Sequence, residues 1–180
     1  MSERRYSPGT ELTDFAERAR AIEGESADSD IRDRVTALLS AAGDDLPVVA
    51  RYVQGRVFPA HDSTKLDVGP ALCYEAIAKA TGQNVDTDDV EGRFAEVGDI
   101  GEVAASYDFG GQRGLGAFGA GGGDDGLTVA EVDADLRELA ASDGAGSQDT
   151  KRDTLFGLFD RTEGDEARSL ARLVLSYGLL

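Results

Sequence analysis

Few residues of this 180-residue sequence are spaced to do chemistry, and most of those have a plainer account. Lys65-Leu66-Asp67-Val68 comes close to the Lys-x-Asp-Gly sequence in which a lysine attacks the α-phosphate of ATP, but Val68 stands where the glycine belongs. No further nucleotide-binding motif follows, so Asp67 reads as part of a turn with Gly69-Pro70. His61 and Cys73 are the only histidine and the only cysteine. A thiol dyad needs a third group to orient the base. None is in view, and Cys73 sits in an apolar run at 71–80, where it reads as a small buried hydrophobe. One Cys excludes an internal disulfide, and one Cys with one His leaves no set for a zinc site. Asp44-Asp45, Asp88-Asp89 and Asp124-Asp125 are sequence neighbours whose carboxylates point apart, so they read as solvated charge. No catalytic residue and no metal ligand emerges.

The stretch from Gly144 to Lys151 (GAGSQDTK) carries more. Small residues running into a helix start leave backbone N–H groups open, and a phosphate can approach them with help from the helix dipole. Lys151, one turn in, would bring its ammonium to the same anion. An ordinary glycine stop followed by a Ser147 cap, with Lys151 in solvent, fits the same residues, and both readings stay open. Gly98-Asp99-Ile100-Gly101 repeats the glycine-flanked helix start in weaker form. Gln112, Leu115 and Phe118 follow the Gln-x-x-aliphatic-x-x-aromatic pattern that docks sliding clamps, with Gly119 in place of the second aromatic. The alternative is a loop whose Leu115 and Phe118 cover the core.

Helical periodicity dominates the elements around these residues. Over 26–42, Ile31, Val35, Leu38, Leu39 and Ala42 fall on one stripe. Thr128 with Glu131 makes a capping-box pattern, and Val129, Val132, Leu136, Leu139 and Ala140 then share a face until Gly144. A helix opens at Ser147 and another is built on Ala167, Leu170, Ala171, Val174 and Leu175. Helices are also predicted over 65–82, 86–95 and 101–106. No strand-like alternation is sustained, so the predicted fold is all-α. Leu12-Thr13, Thr36-Ala37-Leu38-Leu39 and Ala50-Arg51-Tyr52-Val53 have counterparts in Leu127-Thr128, Thr154–Leu158 (TLFGL) and Ala171-Arg172-Leu173-Val174. That suggests a single helical domain built by internal pseudo-twofold duplication of a three-helix unit. Residues 1–10 read as a flexible N-terminus and 119–126 as a flexible Gly-rich loop.

The charge balance is extreme: 18 Lys and Arg against 35 Asp and Glu, for a net charge of −17. Lysine occurs only at 65, 79 and 151, Asp outnumbers Glu, and Trp is absent. Molar salt shortens the screening length to about 3 Å, so such a surface suits a halophilic protein. Disorder is the competing account of the composition, and the 41% hydrophobic content confines it to the tails and the Gly tract. No apolar run is long enough for a membrane span, which predicts a cytoplasmic protein with no membrane partner.

Four ordered segments carry a resemblance: 46–59 (LPVVARYVQGRVFP), 97–104 (VGDIGEVA), 144–151 (GAGSQDTK) and 166–175 (EARSLARLVL). They resemble the N-terminal DNA-binding domain of archaeal and eukaryotic-type ATP-dependent DNA ligases, in a salt-adapted version covering 11–180. The resemblance implies a grip on nicked double-stranded DNA through phosphates and sugars across the minor groove, serving replication, repair and recombination. It aligns Gly98, Gly101, Gly144, Gly146, Ser147 and Lys151 with backbone-contacting loops, and Arg168 more loosely. It implies ATP and Mg²⁺ for the full-length ligase but no cofactor in this chain, which lacks the adenylation and OB-fold domains and is expected to be inactive alone. Partners would be those remaining ligase domains and the sliding clamp. A helical interaction module that docks on the clamp without DNA affinity is the alternative.

Overall fold

The computed structural model describes residues 9–82, 84–109 and 126–177. Among them are nine α-helices and no strand: α1 (Leu12–Glu23), α2 (Asp28–Ala41), α3 (Leu46–Val53), α4 (Pro70–Thr81), α5 (Thr87–Val97), α6 (Ile100–Ala105), α7 (Val129–Ala141), α8 (Ser147–Phe159) and α9 (Gly164–Val174). The all-α expectation holds.

Local chemistry satisfies the first amides of several of these helices. At α7 the predicted capping box forms, with Thr128 Oγ1 accepting from the Glu131 amide at 3.2 Å and Glu131 accepting from the Thr128 amide at 2.8 Å. Asp86 and Asp89 do the same for α5, and at α9 Glu166 accepts from the Glu163 amide at 3.3 Å. Helix α4 corrects the expected 65–82 helix: it begins only at Pro70, with Gly69 extended at φ −86°, ψ 166°. Proline pre-sets the first helical φ and pushes the residue before it out of the helical region. Residues 65–69 therefore form a loop, in which Asp67 turns through φ +52°.

Helix α9 is the centre of the domain. Every residue from Ala167 to Val174 is buried, and the helix packs chiefly on α6 and α1. Helix α8 lies on α4, burying Leu155, Leu158 and Phe159. Phe15 of α1 meets Tyr52 of α3 edge-on at 5.9 Å, and both are fully buried. Arg51 of α3 and Arg137 of α7 each hold Asp133 at 2.8 Å, closing α3 onto α7.

The residues entering α1 and α7 meet, while the arrangement of α1–α3 and α7–α9 does not establish a duplicated three-helix unit. The Leu12 amide donates to Leu127 O at 2.7 Å, the Val129 amide donates to Thr10 O at 2.9 Å, and Glu11 and Thr128 face each other in an antiparallel bridge. Lengths differ, at 12, 14 and 8 residues against 13, 13 and 11.

Candidate nucleic-acid interface

The residues singled out in the sequence fall into two places. Gly98, Gly101 and Arg168 gather where α5 turns into α6 beneath α9. Gly98 ends α5 in the left-handed conformation at φ +76°, with open space where a Cβ would be. Asp99 caps α6 by accepting from the Gly101 amide at 2.8 Å and the Glu102 amide at 3.3 Å. Gly101 is buried: a Cβ there would lie 2.8 Å from Arg172 Nε and 2.9 Å from Arg168 Cγ. Its amide is taken by Asp99 and its missing side chain lets α9 close on α6.

Arg168 and Arg172 form the core of an ion-pair cluster that the sequence does not announce. Arg168 donates to Glu102 at 2.9 Å and to Glu23, and its side chain is 5% exposed. Arg172 donates to Glu23 and to Asp99. Arg20 reaches Glu102 at 2.8 Å from the surface. Burial pushes the Asp99 carboxyl upward, but the bond and charge of Arg172, with the two amides, outweigh it and hold the group below its ordinary range. Glu102 is likewise raised by burial and lowered further by Arg168 and Arg20. Burial pulls the Arg168 guanidinium down, and Glu23 and Glu102 more than reverse it. The acids come from α1, the cap of α6 and α6 itself, so α1, α6 and α9 are locked together by charge.

The second place is the start of α8. Gly144 and Gly146 are left-handed at φ +90° and +87°, and the space a Cβ would occupy is open at both. Gly146 is the N-cap and no side chain caps the helix; Ser147 is its first residue rather than its cap. The Ser147 amide turns back to Gly144 O at 3.2 Å. No side chain caps the remaining amides at this exposed helix end.

Lys151 lies elsewhere than either sequence reading puts it. It is 3% exposed, donates to Leu66 O at 3.2 Å and Asp67 O at 3.4 Å, and has Asp67 Oδ2 at 3.6 Å. Its spacing from Leu155, Leu158 and Phe159 puts it on the buried stripe of α8, so the ammonium pins the 65–69 loop from inside. Lys65 and His61 are exposed. Gln112, Leu115 and Phe118 lie outside the described residues, as do 119–125 of the Gly tract.

Cys73 is fully buried, as its apolar run predicts, and burial pushes its thiol up to about 12. A maleimide reagent at neutral pH should therefore leave the folded protein unlabelled and react within minutes once denaturant is added. Fast labelling of the native protein would contradict the packing around α4. Among the described residues no group of three or more His, Cys, Asp or Glu could hold a metal ion, and no helix is long and apolar enough to cross a membrane.

The described residues form an all-helical domain knit by buried ion pairs, with glycine turns at the end of α5 and the start of α8. The chain belongs to the DNA ligase N terminus family, which it matches over residues 11–177. It is 66% identical to a DNA ligase of Haloarcula marismortui over 92% of its own length, and 65% identical to one of Haloferax volcanii over the same share. A DNA ligase of Methanococcoides burtonii is 31% identical over 92% of the chain. The chain spans 30%, 28% and 30% of the lengths of these three relatives. The haloarchaeal relatives and the acidic composition together mark a halophilic source.

Proposed function

We propose that this domain grips nicked duplex DNA by its sugar–phosphate backbone, as the DNA-binding part of an ATP-dependent ligase serving replication, repair and recombination in the cytoplasm. The observation that carries the reading is the bare start of α8 in a chain of this family. Gly144 and Gly146 expose backbone with room for a close approach, and the helix end favours an anion. Contacts of that kind fix position without reading bases, as suits an enzyme that must act at any nick. Gly98 offers a second exposed turn, while Gly101 and Arg168 support it from beneath. The same reading takes α1–α3 and α7–α9 as two copies of a three-helix unit that reach both sides of a nick, and the pairing of their entry residues is consistent with it.

Adenylation and phosphodiester formation, with ATP and Mg²⁺, belong in this reading to the remaining ligase domains. The described residues do not fit that chemistry: Lys65 is solvent-exposed beside a left-handed Asp67, and no acidic group is gathered to hold a metal. No step of it is assigned to them.

Fluorescence anisotropy with labelled nicked and intact duplexes in molar KCl tests the grip. Ser147→Asp combined with Gln148→Glu places two carboxylates where the phosphate would sit, and acids there favour the helix by roughly 0.3–1 kcal/mol each. The variant should keep its Tm and lose at least tenfold in affinity. Equal binding by the variant, or no binding by folded wild type, would overturn the proposal.

A further inference from the structure

We infer that Arg56 and Lys65, on the rim of one groove, form a second phosphate-backbone contact of the domain, held in place from inside by Lys151. The inference rests on the DNA-binding reading and names side chains for it that the resemblance did not supply. The groove, about 650 Å³, runs between residues 54–69 and the end of α9 at Val174, Leu175 and Ser176. Arg56 and Lys65 both line it and both are exposed.

Arg18, Arg34, Lys79 and Arg152 are each claimed by a carboxylate, whereas the exposed Arg32, Arg56, Lys65, Arg93 and Arg161 pair with none among the described residues; of these five, Arg56 and Lys65 share one groove. Arg56 and Lys65 have no carboxylate of a described residue within 4.0 Å. Two acids share the groove, and each is engaged otherwise. Asp62 accepts from the Thr64 amide at 2.9 Å, and Asp67 turns toward Lys151. With Asp67 paired to the buried Lys151, the two exposed cations of the groove stand against the single remaining carboxylate of Asp62. That is the local excess a polyanion needs on a surface of net charge −17.

Lys151 connects this groove to the glycine turn. It sits one turn into α8, so the helix whose bare start faces the anion also fixes Leu66 and Asp67, and with them the position of Lys65. The glycine turn and the groove are thus joined through one lysine. An acidic protein segment could pair with two cations as well, but it would have no reason to lie in continuity with that turn.

The test is a salt titration of duplex binding by the whole chain, wild type against Arg56→Gln/Lys65→Gln, with folding checked by circular dichroism in each buffer. Each phosphate contact contributes about 0.9 to the slope of log K against log salt. Losing two contacts should lower the slope by about 1.8, so a fourfold rise in KCl should cost wild type about twelvefold more affinity than the variant. Binding by wild type with an unchanged slope in the variant would overturn the groove contact and leave the α8 contact standing. Weakening by the Ser147/Gln148 variant alone would overturn it in the same way. Failure of folded wild type to bind any duplex would overturn both readings, and the groove's cations would then be assigned to an acidic protein partner.

Discussion

Replacing Gly101 with valine should destabilise the domain by about 3 kcal/mol, the upper range for forcing extra carbons into a packed interface. The reason is the closure of α9 on α6. A Cβ at this position would lie 2.8 Å from Arg172 Nε, 2.9 Å from Arg168 Cγ and 3.0 Å from the Arg168 carbonyl oxygen. A flexible side-chain end could swing away, but Arg168 Cγ is near its backbone and the carbonyl belongs to the central helix. Displacing them would also pull both guanidiniums off Glu23, Asp99 and Glu102. Thermal unfolding in fixed KCl should show a drop of roughly 6–12 °C for a domain of this size. Two other helical glycines set the sign. Gly92 in α5 and Gly157 in α8 have nothing within 4 Å of where a Cβ would lie, so alanine there should be neutral or stabilise by up to about 1 kcal/mol. If Gly101→Val melted with those controls, α9 would not rest on α6 as described.

The second large effect is expected at Arg168. Substituting methionine keeps the buried aliphatic stem and removes the charge, leaving Glu23 with Arg172 and Glu102 with the exposed Arg20. A hydrogen bond to a charged group contributes roughly 1.5–3 kcal/mol; two are lost here and both acids keep a second arginine, so the expected cost is about 3 kcal/mol. Glu23→Gln in the same background should recover part of the loss, and a double-mutant cycle over the pair reports the coupling. The cluster also fixes the response to acid. Asp99 and Glu102 are held below their ordinary range, so they bind fewer protons folded than unfolded near those values. Their contribution is present in full above the unfolded carboxylate pKa of about 4 and is lost as pH falls toward the folded values. Arg168→Met releases Glu102 in part, so the variant should lose less stability than wild type between neutral pH and acid. Parallel acid-unfolding curves would contradict this account of the cluster.

The helices are legible in the sequence because amphipathic period and capping chemistry are local. The Thr128–Glu131 box and the helix start at Ser147 are set by residues within one turn. The late start of α4 is local too: Pro70 marks it, and the apolar pattern that extends the expected helix back to 65 ignores what proline does to Gly69. The burial of Lys151 is also within reach of the sequence, since its spacing of four, seven and eight residues from Leu155, Leu158 and Phe159 puts it on the buried stripe. A lysine there needs internal acceptors, and the ones it finds are main-chain oxygens some eighty residues away. Distance along the chain hides the roles of Arg168 and Arg172 as well. Their partners sit at 23, 99 and 102, and nothing in 166–175 distinguishes an arginine bound for DNA from one buried among acids. The placing of Gly101 under α9 likewise depends on which helices meet.

The small bridge between Glu11 and Thr128 bears on how the chain folds. Its two hydrogen bonds tie positions more than a hundred residues apart, and closing a free loop of that length costs roughly 4 kcal/mol of entropy. Two bonds cannot repay that from an open chain, so the tie forms only after the intervening helices have already brought its ends near. Deuterium uptake at the Leu12 and Val129 amides therefore reads out docking of the first helices onto the last ones, separately from formation of either group.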